Sequence, residues 1–114
     1  MLTEKDYCDY DTSITLGELG FPLKRMKVKN FIDGQFSESI VTVLLYEAQK
    51  WLREEKKIEV NATYDNIIEL HWHWYMKSLT NRNQDISIIN YDSYEQALLA
   101  GIKEAVKILK EMKV

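Results

Sequence analysis

The chain has 114 residues, of which 46% are hydrophobic and 29% charged, and its formal net charge is -3. This length suits one domain with one continuous core, and the composition excludes the weakly hydrophobic, highly charged class of disordered proteins. The acidic balance provides no overall positive field that would attract nucleic acid or an anionic membrane surface. We therefore expect a single domain spanning residues 1–114.

Cysteine content and the start of the chain bear on the compartment. The single cysteine, Cys8, cannot form an intrachain disulfide, and no basic and apolar leader opens the chain. Both observations favour the cytoplasm. The longest apolar run, at residues 40–46, is far shorter than the roughly 20 residues that a membrane-spanning helix needs, so we expect no membrane partner.

The first 40 residues predict a helix and then a hairpin. Residues 9–19 carry apolar side chains at a loose helical spacing, and Gly20 suits a C-cap. Pro22 forbids continuation of this helix. Further on, the Asp33-Gly34 pair between extended-looking segments predicts a tight turn, and hence an antiparallel hairpin.

A second helix is predicted at residues 42–57, TVLLYEAQKWLREEKK. Its apolar residues recur at the three-and-four spacing of one helical face: Leu44, Leu45, Ala48, Trp51 and Leu52. Thr42 is the predicted N-cap. We expect Trp51 to contribute to the core.

A long C-terminal helix is predicted at residues 93–112. Ser93 and Gln96 have the spacing of a capping box. Gly101 costs on the order of 1 kcal/mol relative to alanine in a helix, so we predict that it packs closely against the sheet. The apolar stripe of this helix consists of Leu98, Ile102, Ala105, Leu109 and Met112.

Between the last two helices the hydrophobic period changes to two. Residues 58–64 and 67–78 predict an antiparallel hairpin, and residues 86–90 predict a short third strand. Helices before and after a group of antiparallel strands indicate an α+β domain with a small antiparallel sheet and helices packed on one face. The other face of such a sheet is wet or covered by a second copy.

The stretch ELHWHWYMK, residues 69–77, alternates histidine and tryptophan. Successive side chains of a strand point to opposite faces. We predict that the first set lies beneath the helices: Ile68, Leu70, Trp72, Trp74 and Met76. We predict that the second set faces water or a partner: Ile67, Glu69, His71, His73, Tyr75 and Lys77.

The same stretch raises a metal-site alternative. His71 and His73 lie on one strand face with roughly 7 Å between their Cα atoms, so both imidazoles can reach one zinc ion. Glu69 on that face would supply the third ligand. These are the only histidines of the chain, and a straight strand does not readily converge three side chains. A solvated polar face is the favoured interpretation, and the metal site stays open.

Another alternative uses Trp72 and Trp74 as stacking surfaces for single-stranded nucleic acid. Stacking requires exposed rings in a positive groove, whereas the predicted neighbours of these tryptophans are apolar and the chain is net acidic. The basic cluster at residues 24–29 could contact a phosphate backbone, although such clusters are more often plain surface. We therefore do not expect a nucleic-acid partner.

Signatures of catalysis are missing from the sequence. It contains no glycine-rich phosphate loop, no paired cysteines and no recognised nucleophile pattern. Cys8 lies near Asp6 and Asp9, whose negative charges raise the pKa of a thiol. We predict no catalytic residue and no cofactor, which makes an enzyme the less favoured class without excluding it.

Three sequence blocks carry a resemblance: YDTSITLGELGF, YEAQKWLREEKKIEVNA and YDSYEQALLAGIKEAVKIL, in this order. They resemble a group of small uncharacterised proteins of gut bacteria and of their phages and mobile elements. The blocks coincide with the three predicted helices. The resemblance implies a phage or mobile-element setting, and it implies no activity, cofactor or catalytic residue.

We thus expect a small, non-enzymatic, cytoplasmic interaction or accessory protein that self-associates through a sheet face or edge. The predicted contact residues are His71, His73 and Tyr75. The alternatives are a metal-binding protein or zinc-dependent hydrolase using Glu69, His71 and His73, and a single-stranded nucleic-acid binder using Trp72 and Trp74.

Overall fold

The structure is a computed structural model. It describes residues 4–23, 25–29, 36–40, 42–65, 71–80, 84–86 and 91–112, with the backbone alone at residues 4, 25–29, 36–40, 65, 71, 84 and 85. A 3₁₀ turn at Glu4–Asp6 precedes the main elements. These are α1 (Tyr10–Glu18), β1 (Arg25–Lys29), β2 (Phe36–Ile40), α2 (Leu45–Glu55), β3 (Ile58–Asp65), β4 (His71–Ser78), β5 (Gln84–Ile86) and α3 (Tyr94–Met112).

Two antiparallel sheets are present in the described residues, one of two strands and one of three. In the smaller sheet, β1 pairs with β2, and Lys29 lies opposite Phe36. This confirms the antiparallel pairing predicted around Asp33 and Gly34. The turn itself, at residues 30–35, lies outside the described residues.

The larger sheet has the order β3-β4-β5. Its first hairpin confirms the pairing predicted for residues 58–64 and 67–78, with Ile58 opposite Ser78; residues 66–70 lie outside the described part. The prediction of a third strand at residues 86–90 was wrong in its start, because β5 is Gln84–Ile86; residues 87–90 lie outside the described part. The position of β5 is set by pairing with β4, which places Tyr75 opposite Ile86, and not by local strand propensity.

One face of the larger sheet is buried beneath helices, as predicted. That face contributes Ile58, Val60, Ala62, Trp74 and Met76, each exposed by 9% or less. Helix α3 covers this face with the buried side chains of Ala97, Leu98, Ile102, Ala105 and Val106. Helix α2 adds Leu45, Ala48 and Leu52, and all of these residues belong to one cluster. The α+β architecture with helices on one sheet face is confirmed.

Helix α1 is joined to the segment before α2 by buried polar contacts. Asp9 caps α1 by accepting a hydrogen bond from the Thr12 N–H at 2.9 Å, and Gly20 beyond the helix has a φ of 113°, which favours glycine. The hydroxyl of the fully buried Ser13 accepts from the Val43 N–H at 3.1 Å. The Cys8 N–H donates to the Val43 carbonyl at 2.7 Å.

These contacts explain why the predicted N-cap of α2 was wrong. Thr42 is not the cap, because the helix begins at Leu45 and its cap residue is Leu44, which has extended dihedrals and makes no side-chain capping bond. Leu44 instead forms an isolated antiparallel bridge with Tyr7. Pairing with the start of the chain keeps this segment extended, so the helix begins only at Leu45.

Helix α3 is capped almost as its sequence predicts. The Ser93 hydroxyl accepts from the Gln96 N–H, and the Gln96 side chain accepts from the Asp92 N–H, both at 3.2 Å. In the usual capping box the Gln96 side chain would accept from the N–H of Ser93, the cap residue; here it accepts from the N–H one residue earlier. Met112 was wrongly assigned to the core stripe, since it is 75% exposed. The fully buried residues of α3 end at Val106, Ile108 and Leu109 are partly buried against the core, and Met112 lies beyond them.

Candidate functional site

The candidate site is the outer face of the larger sheet, which we define as the described side chains that point away from the helices. Along β4, Trp74 and Met76 are buried, whereas His73, Tyr75 and Lys77 alternate with them and are half-buried. The structure thus places His73 and Tyr75, two predicted contact residues, together on the outer face. The side chain of His71 and the whole of Ile67 lie outside the described part.

A row of three residues crosses the centre of this face. Asn61 of β3 lies opposite Tyr75 of β4, and Tyr75 lies opposite Ile86 of β5. The Asn61 amide donates to the Tyr75 hydroxyl at 3.5 Å, which orients the ring from one side. On the other side, Ile86 is 61% exposed. Sequence reasoning did not assign Asn61 or Ile86 to a site, because their alignment with Tyr75 depends on strand register.

Polar pairs flank this row. Thr63 lies opposite His73 towards one end of the face, and Glu59 lies opposite Lys77 towards the other. Directly opposed side chains on one sheet face have Cβ atoms about 4.5–5.5 Å apart, and opposite charges there attract. The outer face consequently has an apolar centre at Tyr75 and Ile86 with hydrogen-bonding and charged groups around it. This arrangement is typical of a binding surface.

The metal alternative depends on side chains that the structure does not describe. Glu69 lies outside the described residues, and only the backbone of His71 is described. In the part of the chain for which side chains are placed, no group of three or more histidine, cysteine, aspartate or glutamate residues could hold a metal ion. A zinc site at Glu69, His71 and His73 stays a prediction.

The two tryptophans proposed to stack on nucleic acid contact the protein itself. Trp74 is only 9% exposed. Trp72 is half-buried, with the ring of Tyr64 at 5.0 Å and that of Tyr94 at 5.6 Å between centroids. Base stacking needs exposed rings, and these contacts do not favour that hypothesis, which stays a prediction. The side chains of the basic cluster at residues 24–29 lie outside the described part.

Cys8 is not available as a nucleophile at neutral pH. Its thiol is buried, with 3% exposure. Burial, followed by the negative charge of Asp9, raises the pKa of Cys8 to about 12, against a smaller opposing effect of the Lys103 charge. Because the thiolate is the reactive form, this thiol is inert unless the protein opens.

A groove that sequence reasoning did not predict lies between the start of the chain and α2. Its volume is about 140 Å³, and its walls include Tyr7, Phe21, Pro22, Leu44 and Glu47. The walls are mostly apolar, and Glu47 supplies the charge. These residues are far apart in sequence and are brought together by contacts such as the bridge between Tyr7 and Leu44. No local pattern could have indicated the groove.

Comparisons with known proteins add no assignment. No family model matches the chain, and neither the curated proteins nor the solved structures include a significant match. The resemblance to the gut-bacterial and phage group therefore stays a prediction. Among the described residues, no helix combines the length and apolarity needed to cross a membrane.

Proposed function

We propose that this protein is a small, non-enzymatic interaction protein that self-associates through the outer face of the β3-β4-β5 sheet. The observation that carries the proposal is the row of Asn61, Tyr75 and Ile86, which crosses the face with an exposed isoleucine beside an oriented tyrosine. A cytoplasmic setting in a phage or mobile element belongs to the proposal, and its support is the sequence.

The outer face suits a second copy of the chain. Helices cover the opposite face, whereas Ile86 exposes 61% of its surface here. Removal of apolar surface from water contributes about 25 cal/mol per Å². In a two-fold dimer the same patch serves both subunits, so each Ile86 can pack on the apolar centre of its mate while the polar pairs satisfy one another at the rim.

The dimensions of the face indicate weak association. Two strands of eight residues and one of three, about 4.8 Å apart at roughly 3.3 Å per residue, cover on the order of 300 Å² in projection. A stable, specific dimer usually buries about 800 Å² per partner. We therefore expect a concentration-dependent equilibrium in the high micromolar range, not an obligate dimer.

Sedimentation velocity of the untagged chain tests the proposal. From about 10 µM to about 1 mM, a range that brackets weak dimers, the weight-average sedimentation coefficient should rise with concentration. Ile86→Lys should abolish the rise, because it places two positive charges at the centre of the interface. Met112→Lys is the matched control, since Met112 is 75% exposed at the end of α3 and away from the sheet.

Two outcomes would overturn self-association through this face. One is a strictly monomeric wild type at the highest concentration. The other is an Ile86→Lys variant that associates as strongly as the Met112→Lys control. The genes on either side of this one test the proposed setting independently, because an accessory protein of a mobile element is encoded among that element's genes.

A further inference from the structure

Strand β3 lies at an edge of its sheet. The neighbouring strand shows which of its backbone groups face outwards. The Trp72 N–H donates to the Tyr91 carbonyl at 3.3 Å, and the Tyr91 N–H donates back to Trp72 at 2.8 Å, so both backbone groups of Trp72 point away from β3. Tyr64, opposite Trp72, is therefore in a non-hydrogen-bonded pair.

The alternation of an antiparallel ladder extends this result along the whole strand. Every second residue of β3 turns its N–H and C=O away from β4. The bond from the Leu79 N–H to the Lys57 carbonyl, at 2.7 Å, confirms the parity at the other end of the hairpin. The residues whose backbone groups face the outer edge are Ile58, Val60, Ala62 and Tyr64.

Side chains of the protein occupy the two middle positions of this edge. The amide of Gln49, on α2, donates to the Val60 carbonyl at 2.8 Å. The Asn61 side-chain oxygen accepts from the Ala62 N–H at 2.9 Å. An added antiparallel strand would need both of these backbone groups, because it pairs through the N–H and the C=O of each outward residue.

We infer that Gln49 and Asn61 block the edge of β3 against pairing with a strand from a second copy of the chain. An unprotected edge of eight residues is a template for strand addition and aggregation. Here the blocked residues Val60 and Ala62 separate Ile58 from Tyr64, so an incoming strand cannot form two consecutive pairs. In the described residues the opposite edge strand, β5, comprises three residues.

This inference concerns the edge of the sheet, whereas the proposed dimer uses its face; Asn61 contributes to both, and Gln49 to the edge alone. It also separates the two modes of self-association that the sequence left open. Edge pairing is blocked by side chains that bond to the backbone of the edge, whereas Ile86 on the face is 61% exposed.

The test removes both blocking side chains with Gln49→Ala and Asn61→Ala in the Ile86→Lys background, which eliminates face-mediated association. We expect thioflavin-positive, β-rich assembly at least about tenfold faster than in the Ile86→Lys parent, which corresponds to roughly one hydrogen bond in free energy. Lys50→Ala with Thr63→Ala in the same background is the matched control, because these neighbours on α2 and β3 make no bond to the edge.

Assembly of the double variant at the rate of its control, with the fold intact by circular dichroism, would overturn the inference. If the double variant does not fold, the single Gln49→Ala variant serves, since Gln49 is not on the outer face. That variant should bind an added peptide of the β3 sequence, IEVNATYD. The bound peptide should slow amide exchange at Val60 and Ile58. Equal exchange with and without the peptide would count against the edge block.

Discussion

Gly101 of α3 lies against Val60 of β3 so closely that a Cβ atom at residue 101 would approach the Val60 Cγ1 to 2.8 Å and the Trp74 Cβ to 3.0 Å. Val60 is fully buried, and neither contact is with the free end of a flexible side chain. The helix therefore tolerates a glycine that its propensity disfavours, because the close approach of α3 to the sheet requires one.

Gly101→Ala should destabilise the protein. Alanine gains on the order of 1 kcal/mol of helix propensity, whereas overpacking a core costs typically about 1–3 kcal/mol. We expect a net loss of about 1 kcal/mol in the free energy of unfolding by urea, and a double-mutant cycle should show a smaller loss for Gly101→Ala in a Val60→Ala background. A stabilised Gly101→Ala variant would mean that α3 does not pack this tightly.

Ser13→Ala should be costly for its size. The hydroxyl of Ser13 is the acceptor for the Val43 N–H, and leaving a buried N–H without a partner costs about 1–3 kcal/mol. Thr15→Ala is the control. The Thr15 hydroxyl donates to the Asp11 carbonyl at 3.0 Å in an exposed position, and the Ser13 hydroxyl donates to the Asp9 carbonyl at the same distance. Chemical denaturation should separate the two variants clearly; equal losses would contradict the role of Ser13 as a link.

The Asp9 carboxylate should make stability depend on acid. Burial raises its pKa, but hydrogen bonds from Lys103 and Thr12 lower it by more, so the pKa lies below its ordinary value. A lowered pKa contributes stability that is present above the pKa of an unfolded aspartate, about 3.9, and is lost as the pH falls through the folded value.

Asp9→Asn isolates this contribution, because asparagine keeps the cap to the Thr12 N–H and loses the 2.6 Å ion pair with Lys103. Both partners are about half exposed, so we expect a loss below about 1 kcal/mol at neutral pH. Its acid unfolding profile should be flatter below about pH 4 than that of the wild type. Asp11→Asn, which removes an exposed carboxylate of the same turn and leaves the pair of Asp9 and Lys103 in place, is the matched control.

The Cys8 thiol should report on opening of the fold. Because its pKa is raised to about 12 by burial and by Asp9, its alkylation by iodoacetamide at neutral pH should proceed only through unfolded molecules and should accelerate with urea in step with unfolding. The raised pKa also contributes stability that is lost as the pH rises above that of an unfolded thiol, about 8.5. Cys8→Ala should remove that alkaline loss; rapid alkylation of the native wild type would contradict the burial.

Local patterns predicted much of the fold because they reflect local chemistry. The alternation around Trp74 and Met76 placed one side of β4 beneath the helices, and the Ser93 and Gln96 spacing located the start of α3. The close approach at Gly101 was inferred from the cost of a glycine in a helix. In each of these cases the residues that carry the signal lie within a few positions of one another in the sequence.

Predictions that extended beyond such windows were less accurate. Thr42 has the chemistry of an N-cap, yet the bond between Val43 and Ser13 spans 30 residues and holds the segment extended. Met112 continues the periodic stripe of α3, yet it is 75% exposed, because periodicity does not reveal how far along a helix the core extends. For the candidate site, β4 alone indicated His73 and Tyr75, while Asn61 and Ile86 joined them through the register of three strands.

The sequence by itself determined which segments are helices, which face of β4 is apolar, and that one α+β core suffices for this chain, since hydrophobic periodicity and capping act over a few residues. Only the tertiary structure decided where α2 begins, which residues form β5, which side chains form the row on the outer face, and how Gln49 and Asn61 close the edge of β3. Those features depend on backbone groups whose partners come from distant parts of the chain, and a hydrogen bond between distant segments leaves no periodic signal in the sequence.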